Sequence, residues 1–272
     1  MFTRRSVLTS LAAATTAGCG SRRQTALAPR NYPIAPPPPD RSTMGLDAVI
    51  DISHMVTVTD FQQVRRSRIH AVIHKATEGG DYPDRSYATR RPQAEAAGLL
   101  WGAYHFGTRQ SSGVKQAQFF LSQANPNSRT LMALDLEVSP NPRNSMTLEQ
   151  AEAFVRTIQA ATGRLPVVYV HPTWANGDPL PNSNTRLDAP ITRSSILARC
   201  DLWVADYHDS PEIPLAWAGR GWKFWQYAAD ESDSKPAYGS KGVVAGVTHC
   251  DRNLFNGDTA DLYRYWTGRA ST

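Results

Sequence analysis

The chain has 272 residues, 41% hydrophobic and 19% charged, so it can bury the core of one large or two small domains, and wholesale disorder is excluded. Its formal net charge of +5 belongs to the first 43 residues, which carry six arginines and one aspartate, whereas the remainder holds 23 basic and 23 acidic residues. A folded part without net charge argues against nucleic-acid binding, for which a basic surface is expected.

Residues 1–19, with the sequence MFTRRSVLTSLAAATTAGC, have the pattern of a secretory signal peptide. The pair Arg4-Arg5 precedes a short apolar run and resembles a twin-arginine export signal, and the run is too short for a membrane-spanning helix. The residues Thr16-Ala17-Gly18-Cys19 resemble a bacterial lipoprotein cleavage box, although Leu is usual at position 16. We therefore predict export to the bacterial cell envelope and a membrane anchor through a lipid on Cys19. The alternative is a plain cleaved signal, which would give a secreted or periplasmic protein.

Residues 20–43 are rich in proline, with four consecutive prolines at 36–39. Such runs favour the extended polyproline II conformation and cannot join a core, so we predict a semi-rigid linker ahead of one domain at 44–272. A remnant without a spacing role is the alternative. Cys200 and Cys250 lie in that domain, and an oxidising envelope would permit a disulfide between them. Their spacing matches no zinc motif, and we predict neither a metal nor a cofactor.

Strand-like and helix-like segments alternate along the domain. The apolar runs that predict strands are Ala48–Ile52, Ala71–Lys75, Leu99–Phe106, Leu131–Leu136, Val167–Val170, Leu202–Ala205 and Lys223–Tyr227. The amphipathic stretches that predict helices are Thr59–Arg68, Ser86–Ala97, Gly113–Gln123 and Thr147–Thr162. Thr147 and Gln150 have the spacing of a capping box, and Gly98 and Gly163 predict helix ends.

This alternation predicts a parallel sheet with helices outside it, and the number of units favours a closed barrel over an open sheet. After about residue 200 the helical patterns become sparse and the strands crowd together, while residues 175–195 predict a long irregular loop. The expected fold is an irregular α/β barrel, similar to a TIM barrel but with fewer helices in its C-terminal part.

Two acidic residues, Asp135 and Glu137, stand where the strand Leu131–Leu136 ends. Residues two apart in a strand face the same way, so both carboxylates point to one side at the C-terminal end of a barrel strand, where barrel enzymes hold their catalytic groups. Placing like charges together raises the pKa of one of them, and glycoside cleavage uses a neutral acid beside an ionised carboxylate. Solvated acids at a strand end would give the same pattern, so the Asp-x-Glu sequence alone leaves both interpretations open.

Two further acids lie near the two ends of the domain. Asp51 stands within the apolar run at 49–53, and Asp251 follows His249-Cys250. An acid inside an apolar strand must be paired, hydrogen-bonded or functional. Because a closed barrel places its first and last strands side by side, we predict that Asp51 and Asp251 are neighbours.

Residues 45–257 resemble glycoside hydrolase family 25, the Chalaropsis-type lysozymes or N-acetylmuramidases. Eight segments in the order of the family carry the resemblance: VIDISH at 49–54, KATEG at 75–79, GAYHF at 102–106, ALDLE at 133–137, TGRLPVVY at 162–169, LWVADY at 202–207, FWQY at 224–227 and DRNLFNG at 251–257. The resemblance implies an irregular α/β barrel with few helices near its end. It also implies hydrolysis, with retention, of the β-1,4 bond between N-acetylmuramic acid and N-acetylglucosamine.

The resemblance assigns roles to particular residues. It implies that Glu137 is the general acid/base and Asp135 its partner carboxylate. The other site residues that it implies are two acids and five groove-lining or supporting residues: Asp51, Asp251, Tyr104, Tyr169, Tyr207, Gln226 and Glu78. Lys75 stands close enough in sequence to pair with Glu78, and Tyr104 fits core packing as well as a sugar platform. The loop at 175–195 and the dipeptide before Asp251 depart from the family pattern.

The mechanism and two rival functions stay open at this level. Asp135 could attack as a nucleophile, or it could orient the acetamido group of the substrate for internal attack. A chitinase-like hydrolase also has an Asp-x-Glu on a barrel strand, but usually with a longer acidic run before it. A catalytically silent lipoprotein that binds peptidoglycan would not need four acids. We expect a monomer whose partners are peptidoglycan strands and, through Cys19, a membrane.

Overall fold

The computed structural model describes residues 44–229 and 244–268, which form a barrel of eight strands with a ninth, two-residue strand at its rim. The strands are β1 (Leu46–Ile52), β2 (Ala71–Glu78), β3 (Tyr82–Pro83), β4 (Leu100–Phe106), β5 (Leu131–Leu136), β6 (Val167–Val170), β7 (Leu202–Ala205), β8 (Phe224–Ala228) and β9 (Asp251–Phe255). Their order is β1-β9-β8-β7-β6-β5-β4-β2-β3, and the pairing of β1 with β2 closes the ring. The predicted signal peptide and linker at 1–43, including Cys19, lie outside the described residues.

The barrel is parallel except at its last strand. Strands β1, β2 and β4 to β8 pair in parallel, as the sequence predicts, whereas β9 is antiparallel to both β1 and β8. Ala228 near the end of β8 pairs with Arg252 near the start of β9. A strand that begins where its neighbour ends runs in the opposite direction and needs no crossover helix. The antiparallel direction of β9 therefore removes the need for one crossover helix in the C-terminal part.

Six helices are present in the described residues: α1 (Phe61–Arg66), α2 (Tyr87–Ala96), α3 (Gly113–Ala124), α4 (Leu148–Thr162), α5 (Pro172–Ala175) and α6 (Thr259–Gly268). The predicted capping box begins α4, because Thr147 and Gln150 each accept a hydrogen bond from the backbone N–H of the other. Gly163 ends α4 in the left-handed conformation, with φ of +71°. Helix α1 is shorter than predicted, because Asp60 caps its start and Arg68 turns to a positive φ of 66°.

The barrel wall separates two buried clusters, as expected when side chains alternate along each strand. The outer cluster lies between the sheet and the helices. The inner cluster fills the barrel with Val49, Ala71, Ile73, Leu100, Tyr104, Leu131, Ala133, Val167, Tyr169, Trp203, Ala205, Phe224 and Phe255. Helix α6, which the sequence analysis did not predict, adds Leu262 and Trp266 to this cluster. The Trp266 indole donates to the carbonyl of Trp101 at the start of β4, so α6 covers the N-terminal end and the opposite end is the mouth.

Residues 176–196 form the irregular loop that the sequence predicts, and Asp188 of this loop accepts a hydrogen bond at 2.8 Å from the backbone N–H of Leu148 in the first turn of α4. Cys200 is buried and Cys250 half-buried, and no disulfide joins these two residues. No helix within 44–229 and 244–268 combines the length and apolar character needed to cross a bilayer.

Candidate active site

Asp135 and Glu137 stand at the mouth of the barrel, at the end of β5. Asp135 belongs to the inner face of the wall and is 1% exposed, with Phe106 of β4 and Tyr169 of β6 as its register partners. Glu137 follows the last residue of β5 and is half-buried. The two carboxylates therefore have different surroundings, because one is enclosed by neighbouring strands while the other reaches solvent.

Asp51 and Asp251 are neighbours, as the closure of the barrel predicts. They are register partners in the antiparallel pair β1–β9. Gln226 of β8 lies beside both, and its Nε2 atom is 2.9 Å from Asp51 Oδ2 and 3.5 Å from Asp251 Oδ2. The side-chain amide of Gln226 thus bridges the carboxylates at the seam of the barrel.

The hydroxyls of Tyr169 and Tyr207 fix the orientation of the Gln226 amide. Each donates a hydrogen bond of 2.8 Å to Gln226 Oε1. The reverse orientation would turn the carbonyl oxygen towards two carboxylates, so the amide nitrogen must face Asp51 and Asp251. One buried glutamine therefore joins two acids and two tyrosines, all of which the sequence analysis placed in the site.

Asp51 has a second amide donor, Asn253 of β9, whose Nδ2 lies 2.9 Å from Asp51 Oδ2. The indole of Trp203 on β7 donates in turn to Asn253 Oδ1 at 2.7 Å. Neither Trp203 nor Asn253 was predicted to have a role in the site. A usable signal was present, because Asn253 is a polar residue two positions after Asp251 on the same strand and so shares its face.

The Tyr207 hydroxyl is influenced by three acids, Asp51 of β1, Asp251 of β9 and Glu137 just after β5. Loss of solvent around its hydroxyl raises the pKa well above the usual value of 10, and the negative charges of Asp251, Glu137 and Asp51 raise it further. Glu137 is therefore close enough to act on the same hydroxyl as the pair of acids at the seam. The Tyr207 hydroxyl remains protonated and keeps its role as a hydrogen-bond donor at neutral pH.

Glu78 stands at the end of β2 and forms an ion pair with Lys75. The Lys75 ammonium is 2.5 Å from Glu78 Oε2 and 4.9 Å from the ring centre of Phe106. The side chain of Lys75 is nearly buried while that of Glu78 is 39% exposed, so the carboxylate is the accessible half of the pair. Tyr104 is buried within the inner cluster, below the register level of Asp135.

Two buried histidines support the strands that lead to the mouth. His105 of β4 contacts the Thr77 hydroxyl at 2.7 Å and Gln116 Oε1 at 3.0 Å. Burial lowers the pKa of His105 and of His74 on β2 to about 4, so both imidazoles are neutral near pH 7. The described residues contain no group of three His, Cys, Asp or Glu side chains arranged to hold a metal ion.

This arrangement suits acid-catalysed bond cleavage. Glu137 is accessible enough to exchange a proton with a bound molecule, and Asp51 and Asp251 place negative charge nearby. A transition state that develops positive charge is stabilised by carboxylates held in a fixed position. Because the Tyr207 O–H donates to Gln226, its hydroxyl oxygen can accept a hydrogen bond from a polar ligand.

Comparisons with known proteins agree on one family. Residues 50–235 match the model of "Glycosyl hydrolases family 25". Lysozyme M1 of Streptomyces globisporus is 30% identical over 227 residues, which cover 78% of this chain and 69% of that protein. The crystal structure of the bacterial lysozyme from Streptomyces coelicolor superposes with a TM-score of 0.67 at 28% identity, covering 84% of this chain and 99% of that one. The muramidase from Acremonium alcalophilum gives a TM-score of 0.62 at 29% identity, covering 80% and 98%.

Proposed function

The chain belongs to glycosyl hydrolase family 25 and is a peptidoglycan hydrolase of the lysozyme type, and we propose that it cuts the β-1,4 bond after N-acetylmuramic acid, with Glu137 as general acid/base. One observation carries this proposal. Asp51 and Asp251 pair in register and are joined through Gln226 to Tyr207, whose pKa is also raised by the charge of Glu137 just after β5, so these acids lie together at the mouth of the barrel.

The first step is protonation of the glycosidic oxygen by Glu137 as the bond to the anomeric carbon breaks. Cleavage with retention needs a second group that attacks the anomeric carbon from the opposite face. Asp135 is 1% exposed, and such an enclosed carboxylate is better placed to hold the N–H of the substrate acetamido group than to attack. In this route the acetamido oxygen attacks the anomeric carbon. Glu137 then takes a proton from the water that opens the resulting ring and restores the original configuration.

Direct attack by Asp135 is the alternative, and inhibition distinguishes the two routes. A thiazoline analogue of the cyclic intermediate should inhibit strongly if the acetamido group attacks. A covalent glycosyl adduct on Asp135, detected by mass spectrometry after reaction with a 2-fluoro sugar, would instead identify the carboxylate as the nucleophile. In both routes, NMR of the first product should show the β-anomer.

The central test compares Glu137→Gln with wild type in the release of reducing sugars from peptidoglycan. Removal of general acid catalysis should lower the rate by about 10²- to 10⁴-fold. Glu149→Gln changes an exposed carboxylate in the first turn of α4 and should leave the rate unchanged. An undiminished rate in Glu137→Gln would refute the assignment. Mass spectrometry of digested sacculi should find N-acetylmuramic acid at the new reducing ends, whereas equal release from chitin would favour a chitinase-like activity.

The groove that binds the glycan involves the tyrosines and glutamine of the site. Tyr207 and Glu78 reach solvent and are placed to contact sugar hydroxyls, whereas Tyr169 and Gln226 are buried and support that surface. Tyr104 lies in the inner cluster and would contribute by packing under the groove. Binding of the protein to sacculi without soluble products would favour a silent peptidoglycan-binding protein.

The proposed domain organisation is a signal at 1–19, a linker at 20–43 and a catalytic barrel from 44, acting as a monomer. Export agrees with the extracellular location of peptidoglycan, and the anchor through Cys19 rests on the sequence alone. A fatty-acid probe should label the wild-type chain in cells but not Cys19→Ala. Equal labelling, or none in wild type, would contradict the anchor.

A further inference from the structure

Beneath Asp51, a second layer of side chains is tied together by hydrogen bonds and shielded from solvent. Asn253 of β9 is 0% exposed and Trp203 of β7 is 1% exposed. The Trp203 indole donates to Asn253 Oδ1 at 2.7 Å, and Asn253 Nδ2 donates to Asp51 Oδ2 at 2.9 Å. A chain of donors therefore runs from the inner cluster through an amide to a carboxylate at the mouth.

The direction of this chain is fixed by the chemistry of tryptophan. An indole N–H can donate but cannot accept, so Trp203 selects the carbonyl oxygen of Asn253 as its partner. The amide nitrogen must then face Asp51. If Asn253 turned over, its nitrogen would face the indole donor and its oxygen would face the carboxylate, which places two mismatched pairs in a buried site.

The other amide donor to Asp51 cannot replace Asn253. Gln226 Nε2 is shared between Asp51 at 2.9 Å and Asp251 at 3.5 Å, so this donor serves two carboxylates. Asn253 is tied to the interior of the barrel through Trp203, which packs edge-to-face on Tyr169 with 4.9 Å between ring centres. Asn253 therefore links the Asp51 carboxylate to the buried inner cluster.

We propose that Trp203 and Asn253 form a positioning pair for the lysozyme reaction, which orients the carboxylate of Asp51 towards the bound glycan. This inference rests on the proposed function, because it assigns the pair to the same site. The titratable groups around position 253 are Asp51 from β1, Asp251 from the same strand, and Tyr169 and Tyr207 at the other end of the Gln226 bridge. Neither Asn253 nor Trp203 reaches solvent, so both act through Asp51 rather than on the substrate.

The test is Asn253→Asp, which keeps the shape of the side chain and replaces the amide nitrogen with an oxygen. At acidic pH the new carboxyl group is protonated, so its O–H donates to Asp51 as the amide did. As the pH rises the pair must lose its shared proton, and two adjoining carboxylates repel each other. The alkaline limb of the profile of kcat/KM against pH should therefore move to lower pH. Activity near pH 7 should fall about 10- to 100-fold and recover towards about pH 5.

Two further variants separate positioning from a merely structural role. Asn253→Leu removes the donor at every pH and should lower kcat/KM about 10- to 100-fold without recovery at acidic pH. Asn256→Asp adds the same charge just beyond β9, where Asn256 is exposed and donates to the carbonyl of Trp222 at 3.0 Å, and should keep the wild-type profile. A profile of Asn253→Asp that superimposes on wild type, or full activity of Asn253→Leu, would overturn the positioning role.

Thermal unfolding distinguishes the failure of this inference from the failure of the proposed function. The melting temperature of Asn253→Asp should fall further below that of wild type as the pH rises, whatever reaction the protein catalyses, because the shared proton belongs to the folded state. A wild-type protein that releases no reducing sugar would contradict the proposed function. A melting difference that does not change with pH would contradict the contact between position 253 and Asp51 on which the inference depends.

Discussion

Asp51 and Asp251 face each other in register across the antiparallel strands β1 and β9 that close the barrel. Two carboxylates so placed repel each other, and the repulsion is strong where solvent is excluded. Gln226 lies between them and donates to Asp51 at 2.9 Å, while both tyrosine hydroxyls hold its carbonyl oxygen. The seam of the barrel is therefore stable because one amide serves two acids and two hydroxyls at once.

Replacing Gln226 by Leu should destabilise the fold. The change removes the acceptor used by Tyr169 and Tyr207 and the donor used by Asp51, while keeping a side chain of similar size. We expect the free energy of unfolding to fall by about 2–4 kcal/mol, measured by urea denaturation at pH 7. Gln123→Leu, at an exposed position near the end of α3, should change it little. Equal stability of the two variants would show that the amide bridge contributes nothing.

Replacing Asp51 by Asn should lower activity more than stability. The Asn side chain keeps an oxygen that can accept from Gln226 and Asn253, so the network can remain closed while the negative charge is lost. Loss of a charge that stabilises an oxocarbenium-like transition state should lower kcat/KM by about 10²-fold. The measurement is the release of reducing sugars, with circular dichroism to establish folding. A folded Asp51→Asn variant with wild-type activity would exclude an electrostatic role for Asp51.

The sequence was sufficient to predict the barrel fold and the proximity of acids that lie far apart in the chain. Alternating apolar and amphipathic segments predicted seven of the nine strands and four of the six helices in the described residues, and closure of the ring predicted that Asp51 and Asp251 are neighbours. These features depend on periodicity and on topology, both of which are readable along the chain. The family resemblance supplied Gln226, which periodicity alone would have assigned to a buried strand.

The contacts that the sequence did not reveal join residues of different strands. Asn253 and Trp203 form a hydrogen bond between β9 and β7, across the barrel interior, and neither position has a local pattern that names its partner. Helix α6 was missed because its buried contribution is small, with Leu262 and Trp266 the only residues of the helix that are fully buried. The direction of β9 was also missed, because it is fixed by where the chain re-enters the sheet.

Stability should fall in mildly acidic solution because of His74 and His105. The folded protein lowers the pKa of each from 6.5 to about 4, so between these values the unfolded chain binds more protons than the folded one. The stability that each neutral histidine contributes to the fold is therefore complete above about pH 6.5 and is lost as the pH falls towards 4. For each histidine, we expect the free energy of unfolding to drop by about 2 to 3 kcal/mol between pH 7 and pH 4.5.

His105→Asn separates this effect from general acid denaturation. The variant lacks the titrating imidazole and should be less stable than wild type at pH 7, but its stability should decline less steeply with falling pH. His249→Asn changes a half-exposed histidine next to Thr248 and serves as the control. Urea denaturation at several pH values gives the slope of the free energy of unfolding against pH for each variant and for wild type. If His105→Asn loses stability with pH as steeply as wild type, the buried neutral imidazole is not the cause.

Gly113→Ala should loosen the packing of α3 on α4, the two helices that cover the strands leading to Glu137. A Cβ atom at Gly113 would lie 1.9 Å from the carbonyl oxygen of Gln150 and 2.9 Å from the backbone nitrogen of Phe154. Because these are backbone atoms inside α4, they cannot move aside as a side chain could, and the helices must separate. The strain should cost about 1–3 kcal/mol, or more, and lower the melting temperature. Gly268→Ala at the end of α6, where nothing lies within 4 Å, should leave it almost unchanged. A melting temperature of Gly113→Ala equal to that of Gly268→Ala would mean that the two helices are not in close contact.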